Sequence, residues 1–255
     1  MKAHERITSA IRAAAAGGAP ALVAYLTAGY PRREQFAANL EAIAGAADVV
    51  EIGVPFTDPM ADGVTIQRAS LGALAQGVTL RWILAEVARL VSVRTPLLLM
   101  SYLNPLLAFG VRELADSAAR AGVAGFIVPD LPLDESGELK AALASHGIAL
   151  VQMVTPVTEP ERLAALTAGS QGFVYAVTMT GTTGRNVAVP EEVIAYLERV
   201  RAHATLPVCA GFGIRSREQV ARLTGHVDGV VVGSALVELL ERGADPGAWL
   251  RELRA

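Results

Sequence analysis

Short apolar runs alternate with amphipathic stretches along the whole chain. Eight runs read as buried strands: residues 21–27, 48–53, 97–101, 125–129, 148–155, 172–177, 207–212 and 229–233. They are near-continuous rather than alternating, as expected of parallel strands covered on both faces. The stretches between them carry helix signals. Thr158-Glu159-Pro160-Glu161 and Ser216-Arg217-Glu218-Gln219 fit a capping box, in which a hydroxyl and a Glu or Gln side chain satisfy free amides at a helix start. Gly147 and Gly225 read as helix ends followed by a tight return to the next strand. Eight such alternations predict an α/β fold, a (β/α)8 TIM barrel, rather than an open doubly wound sheet. An extra helix over residues 2–15 precedes the first strand and is placed to close the barrel bottom. No linker divides the chain, so residues 1–255 are expected to form one domain.

Composition narrows the class of partner. The chain is 52% hydrophobic and 18% charged, which supports a large core and excludes disorder. Its formal net charge of -3, with no basic run, offers no footprint for nucleic acid or an anionic membrane. Cys209 is the only cysteine, so no intrachain disulfide is possible and a reducing compartment suits the chain. It reads as a small core residue. His4, Glu5, Arg6 and Arg12 interrupt the alanine-rich N-terminus, which therefore lacks the apolar segment of a signal peptide. No apolar run is long enough to span a bilayer. A cytoplasmic protein acting on small molecules is expected.

The chemistry centres on residues 51–67. Val49, Val50 and Ile52 are β-branched and bracket Glu51, placing a carboxyl inside a buried strand. Burial raises the pKa of such a group and keeps it protonated near neutral pH, ready to donate. Glu51 is the candidate acid. Asp62 follows a loop punctuated by Pro55, Pro59 and Gly63, long enough to present a second carboxylate from another side. Two carboxyls in unlike settings can divide acid and base roles. A structural reading stands beside this: Asp58 suits a turn, and Asp62 could be the first residue of the helix that Val64 begins. For Asp62 both readings stay open.

Catalytic groups in this fold come from strand C-termini and the loops after them. The histidines, His4, His146, His203 and His226, lie in the first helix or just before strands, on the opposite face. Lys2 and Lys140, the only lysines, are not at strand ends. A histidine-held metal and a lysine Schiff base with pyridoxal phosphate are thereby disfavoured, which leaves carboxylates as acid and base. Gly211-Phe212-Gly213-Ile214 and Gly233-Ser234-Ala235 follow the last two strands, where barrels bind phosphate through backbone amides. The glycine-rich segment 178–186 follows the sixth strand and reads as a lid. Tyr25, Met100, Tyr102, Ile127, Pro129, Met153 and Tyr175 cluster at strand ends and suit a flat aromatic group.

Residues 51–67, together with Asn104-Pro105, Val128-Pro129-Asp130-Leu131-Pro132, Gly181-Thr182-Thr183-Gly184 and the two late glycine turns, resemble the tryptophan synthase alpha chain family over nearly the whole length. The resemblance implies retro-aldol cleavage of indole-3-glycerol phosphate to indole and glyceraldehyde 3-phosphate. Glu51 would then protonate the ring carbon that bears the glycerol chain, and Asp62 would take the ring N–H proton. Tyr175 would support the substrate, and Thr183 would close against Asp62. Gly184, Phe212, Gly213, Gly233 and Ser234 would hold the phosphate. The resemblance further implies a beta-chain partner, in an alpha2-beta2 tetramer, that carries pyridoxal phosphate and receives indole. That partner would dock over loops containing Pro55, Asp58, Pro59 and Asn104, and no cofactor is expected in this chain.

Two positions depart from the family pattern. Tyr30 stands where aspartate is usual, and Val64 where proline commonly follows the Asp-Gly pair. Both are expected near the docking face. Thr57 keeps the hydroxyl of the usual serine. A free-standing lyase and a non-catalytic barrel that binds a partner or a phosphorylated ligand are the alternatives. The presence of both Glu51 and Asp62 speaks against the second, since a scaffold has no need to bury an acid.

Overall fold

A computed structural model describes residues 2–178, 189–211 and 213–254. Eight parallel strands close into a barrel in sequence order. They are β1 (Ala21–Thr27), β2 (Val49–Gly53), β3 (Leu97–Met100), β4 (Gly125–Ile127), β5 (Ala149–Val154), β6 (Val174–Val177), β7 (Val208–Gly211) and β8 (Gly229–Val232). The helices are α1 (Ala3–Ala16), α2 (Phe36–Ala44), α3 (Val64–Ala75), α4 (Leu80–Arg89), α5 (Leu103–Phe109), α6 (Val111–Arg120), α7 (Gly137–Ser145), α8 (Pro160–Gly169), α9 (Glu191–His203), α10 (Arg217–Leu223), α11 (Ser234–Glu241) and α12 (Pro246–Arg254). The expected TIM barrel is therefore present, and each predicted strand falls within its run.

Alternation along the strands sorts their side chains into two cores. Leu22, Ala24, Leu26, Val50, Ile52, Leu97 and Leu99 face outward and pack beneath the helices. Ala21, Val23, Val49, Leu98, Ile127, Ala149, Val151 and Cys209 face inward and fill the barrel. Cys209 is thus the small core residue its sequence context suggested. Glu51 lies two residues beyond inward-facing Val49 on the same strand, so its carboxyl points up the barrel axis towards the mouth. Pairing of β1 with β2 sets Tyr25 directly beside it.

The N-terminal helix closes the other end. Ile7 and Ile11 of α1 are fully buried in the inner core. The helix edge is tied to carbonyls of the loops that enter the strands. Arg6 donates to Arg94 O (2.8 Å), Thr8 to Gly172 O (2.7 Å) and Arg12 to Thr205 O (2.9 Å), and His4 Nδ1 lies 3.0 Å from Gly147 O. Gly125 makes room for this plug, because a Cβ there would stand 3.1 Å from Ile7 Cδ1.

One of the two capping boxes is present, at Ser216 and Gln219. The other is not: α8 starts at Pro160, and Thr158 Oγ1 instead accepts from Thr155 N at 2.9 Å. Proline is favoured in the first helical position, where its missing N–H costs nothing, so the helix begins one residue later than the box requires.

Ile7→Ala should lower stability by about 2–5 kcal/mol, the usual cost of a large aliphatic truncation that leaves a cavity. Urea unfolding measures it; because Ile7 sits at the end opposite the mouth, ligand affinity at the mouth should be unchanged.

Candidate active site

A cavity of about 190 Å³ opens at the C-terminal ends of the strands. Its walls are Tyr25, Glu51, Met100, Met153, Tyr175, Val177, Gly211 and Val231 from the barrel, Ala61, Asp62, Gly63 and Ile66 from the arm after β2, and Gly213, Gly233 and Ser234 from the turns after β7 and β8. Both candidate carboxyls therefore meet the late glycine turns in one place.

Glu51 is 1% exposed, and its Oε2 has no hydrogen-bond partner among the described residues. Burial, reinforced by the nearby charge of Asp62, pushes its pKa up to about 8. An unpaired buried carboxylate is far costlier than a buried neutral acid, so the group keeps its proton at pH 7.

Asp62 sits in a different environment. Its Oδ2 accepts from the Tyr102 hydroxyl at 3.2 Å, and that hydroxyl in turn accepts from Ala61 N at 2.9 Å. Tyr102 is itself stacked on Phe56, with ring centroids 5.1 Å apart. Burial raises the Asp62 pKa to about 6, with the Tyr102 hydrogen bond acting against the rise. The helix start that Asp62 might have marked is taken by Gly63, which occupies the N-cap position of α3. Asp62 is left with its carboxylate directed to Tyr102 and the cavity.

Two aromatic walls stand over glycines. A Cβ on Gly53 would come 2.1 Å from the Tyr25 hydroxyl, and one on Gly211 would come 2.8 Å from the Tyr175 ring. Tyr25 is buried and Tyr175 half-buried, and desolvation raises both phenol pKa values so that they stay neutral. Tyr25 OH meets Thr27 Oγ1 at 3.2 Å.

At the phosphate-type turns, Gly213 has a φ of +66°, open only to glycine without strain. Gly233 immediately precedes α11, so the first amides of that helix face the cavity with no intrahelical partner.

Other expected positions divide. Ile127 is fully buried in the inner core, against which Met100, Met153 and Tyr175 pack, and it does not line the cavity. Pro129 lies just beyond β4 and is likewise outside the lining. Tyr102 acts on Asp62 rather than on the cavity wall. Thr183, Gly184 and Phe212 lie outside the described residues. Of the docking positions, Asp58 and Asn104 are exposed, whereas Pro55 and Pro59 are buried and shape the loop. Sequence reasoning missed Ile66, Val177 and Val231. Inward parity with Gly229 and proximity to Gly233 could have found Val231; Ile66 had no signal.

The sequence model of the family described as "Tryptophan synthase alpha chain" matches residues 11–252. The chain belongs to the tryptophan synthase alpha chain family. It is 45% identical over 250 residues to the tryptophan synthase alpha chain of Solidesulfovibrio magneticus, covering 97% of this chain and 98% of the relative. It is 46% identical over 235 residues to that of Bacillus cereus (strain ATCC 14579), covering 91% and 90%. Among solved structures, Mycobacterium tuberculosis tryptophan synthase superposes with a TM-score of 0.91 at 38% identity, covering 98% of this chain and 96% of that one. The tryptophan synthase alpha chain of Legionella pneumophila subsp. pneumophila gives 0.88 at 32%, covering 100% and 96%. Tyr30 turns inward. Its ring fills the space beside Gly72, where a Cβ would come within 2.7 Å, and its hydroxyl donates to Glu241 at 2.7 Å. Val64 remains 73% exposed at the start of α3.

The raised pKa of Glu51 also bears on stability. In the unfolded chain the carboxyl ionises near 4.5, and in the folded chain near 8. Between those values the unfolded state has released a proton that the native state retains, so this group destabilises the fold increasingly as pH rises. Glu51→Gln removes the penalty and should gain about 3 kcal/mol at pH 7. Thermal unfolding of both proteins from pH 4 to 8 measures it, and the gain should vanish below pH 4.5.

Proposed function

We propose that this chain is the alpha subunit of tryptophan synthase, cleaving indole-3-glycerol phosphate to indole and glyceraldehyde 3-phosphate, with Glu51 and Asp62 as its acid and base. The observation that carries the assignment of roles is the buried Glu51, its Oε2 without a partner among the described residues, facing the same cavity as an ionisable Asp62 held by Tyr102.

The indole ring fits between Tyr25, Met100, Met153, Tyr175 and Val231, and the phosphate lies against the amides after Gly213 and Gly233. Glu51 gives its proton to the ring carbon bearing the glycerol chain while Asp62 removes the ring N–H proton, which produces the indolenine tautomer. That carbon is then a competent leaving group. Glu51, now a carboxylate, takes the proton of the adjacent glycerol hydroxyl. The C–C bond breaks, its electron pair returns to the ring, and Asp62 returns its proton to the ring nitrogen. Glu51 ends protonated and Asp62 ionised, so the pair is restored.

The partner is the beta chain, which holds pyridoxal phosphate and consumes the indole. Exposed Asp58 and Met60 on the loop after β2, Val64 at the start of α3, and Asn104 and Leu107 on α5 offer a face for that contact. A reduced cysteine in the core agrees with a cytoplasmic location. No helix among the described residues is long and apolar enough to cross a membrane.

Purified chain with beta chain should release indole with a bell-shaped kcat/KM. The base must be ionised, so activity falls as pH drops through about 6; the acid must be protonated, so it falls as pH rises through about 8. Glu51→Gln should lose roughly 10³-fold, the scale of general acid–base catalysis, and Asp62→Asn a comparable amount. High activity that is indifferent to the beta chain would favour a free-standing lyase. No indole from the wild type, with or without partner, would overturn the enzymatic reading.

A further inference from the structure

Behind the cavity, one carboxylate on α11 joins three segments that come from distant parts of the chain. Glu238 Oε1 accepts from Thr65 Oγ1 at 3.2 Å and from Arg215 Nη2 at 2.9 Å, and its Oε2 accepts from Arg215 Nη1 at 2.8 Å. Each partner lies within three residues of a cavity group. Thr65 is in the first turn of α3, three residues past Asp62, and Gln67 of the same turn donates to Asp62 O at 2.9 Å. Arg215 is two residues past Gly213. Glu238 itself lies one turn beyond Ser234, the first residue of α11.

A second glutamate repeats the join one turn further on. Glu241 Oε1 accepts from Tyr30 OH at 2.7 Å, Arg68 Nη2 at 2.7 Å and Arg68 Nε at 3.1 Å. The two glutamates thus fasten α3 along α11 at two successive turns. A surface ion pair contributes little energy by itself. A bidentate guanidinium–carboxylate pair, however, fixes direction as well as distance, and here it also shares its carboxylate with a buried threonine hydroxyl. Geometry rather than stability is what such a joint supplies.

We propose that Glu238 is a positioning residue that holds the Asp62 arm in register with the phosphate-binding turn, so that capture of the substrate's phosphate and removal of the ring proton are coupled. This rests on the lyase reading above. Substrate held at its phosphate end lies correctly against Asp62 only if the distance between α3 and α11 is maintained. Displacement of a catalytic group by about 1 Å can cost as much as 10²-fold in rate.

Steady-state kinetics in the presence of the beta chain separate the two links. Thr65→Val is close to isosteric and cuts only the α3 link; it should lower kcat about tenfold with KM within about twofold. Arg215→Ala cuts the link to the turn and should raise KM about tenfold. The double variant should lose less than the product of the two, because either cut already frees the joint. Glu238→Gln keeps one acceptor oxygen and the side-chain length, and should fall between wild type and Glu238→Ala. Single variants within about twofold of wild type in both constants, or losses that multiply in the double variant, would overturn the brace while leaving the lyase reading intact. A wild type that releases no indole overturns the lyase reading instead. The brace is then judged by inorganic phosphate binding, which Glu238→Ala should weaken about tenfold, as Arg215→Ala does, and which a turn held independently of Glu238 would leave unchanged in Glu238→Ala.

Discussion

The structure turns on one carboxyl group buried at the floor of the cavity. Glu51 belongs to a strand whose alternate residues either seal the barrel against its helices or fill its interior, and the closed sheet removes any route by which the side chain could turn out to solvent. With no hydrogen-bond partner for Oε2 among the described residues, the neutral acid is the form the site accepts. Such a group opposes folding above its ordinary pKa, and its retention is intelligible when proton donation at neutral pH is the task it performs.

The surroundings keep two similar groups apart in behaviour. Glu51 is seated on β2, and its Oε2 meets no donor among the described residues. Asp62 sits on the arm that follows and receives a phenolic hydrogen bond from Tyr102, which is anchored by an amide donor on one side and by stacking on Phe56 on the other. Burial raises both pKa values, but the donor holds Asp62 closer to the usual carboxylate range. The interval between about 6 and about 8 reflects burial first, fuller at Glu51 and reinforced there by the charge of Asp62, and then the Tyr102 hydrogen bond that restrains the rise at Asp62. Glycines complete the site by omission: the Tyr25 and Tyr175 rings occupy volume that any side chain at Gly53 or Gly211 would claim.

The ends of the barrel are held by different means. At the bottom, α1 seats Ile7 and Ile11 in the inner core and satisfies loop carbonyls with its polar side chains. At the mouth, α3 and α11 are joined through carboxylates that lie outside the cavity lining. The first arrangement is mostly hydrophobic and supports the fold; the second is directional and sets distances between loops. A barrel that binds a ligand at both its phosphate and its ring needs the second kind of contact.

Much of this was legible in the chain itself. Periodicity and the count of apolar runs determined the barrel, because strand and helix periods are local properties that side-chain spacing records directly. An acid flanked by β-branched residues on a strand announced Glu51 for the same reason, the placement of the glycine turns after the last strands announced the phosphate end, and the family resemblance decided between the two readings of Asp62. Only tertiary structure decided how Asp62 is used, since the residue that directs it, Tyr102, arrives from the turn after β3, forty positions away. It likewise placed Ile127 in the core and moved the start of α8 past Thr158, whose hydroxyl bonds to an earlier turn. Glu238 was invisible in sequence: a solvent-side glutamate on a helix has no pattern of its own. Its partners are distant in sequence, and which ones it meets depends on how the closed barrel sets its helices side by side.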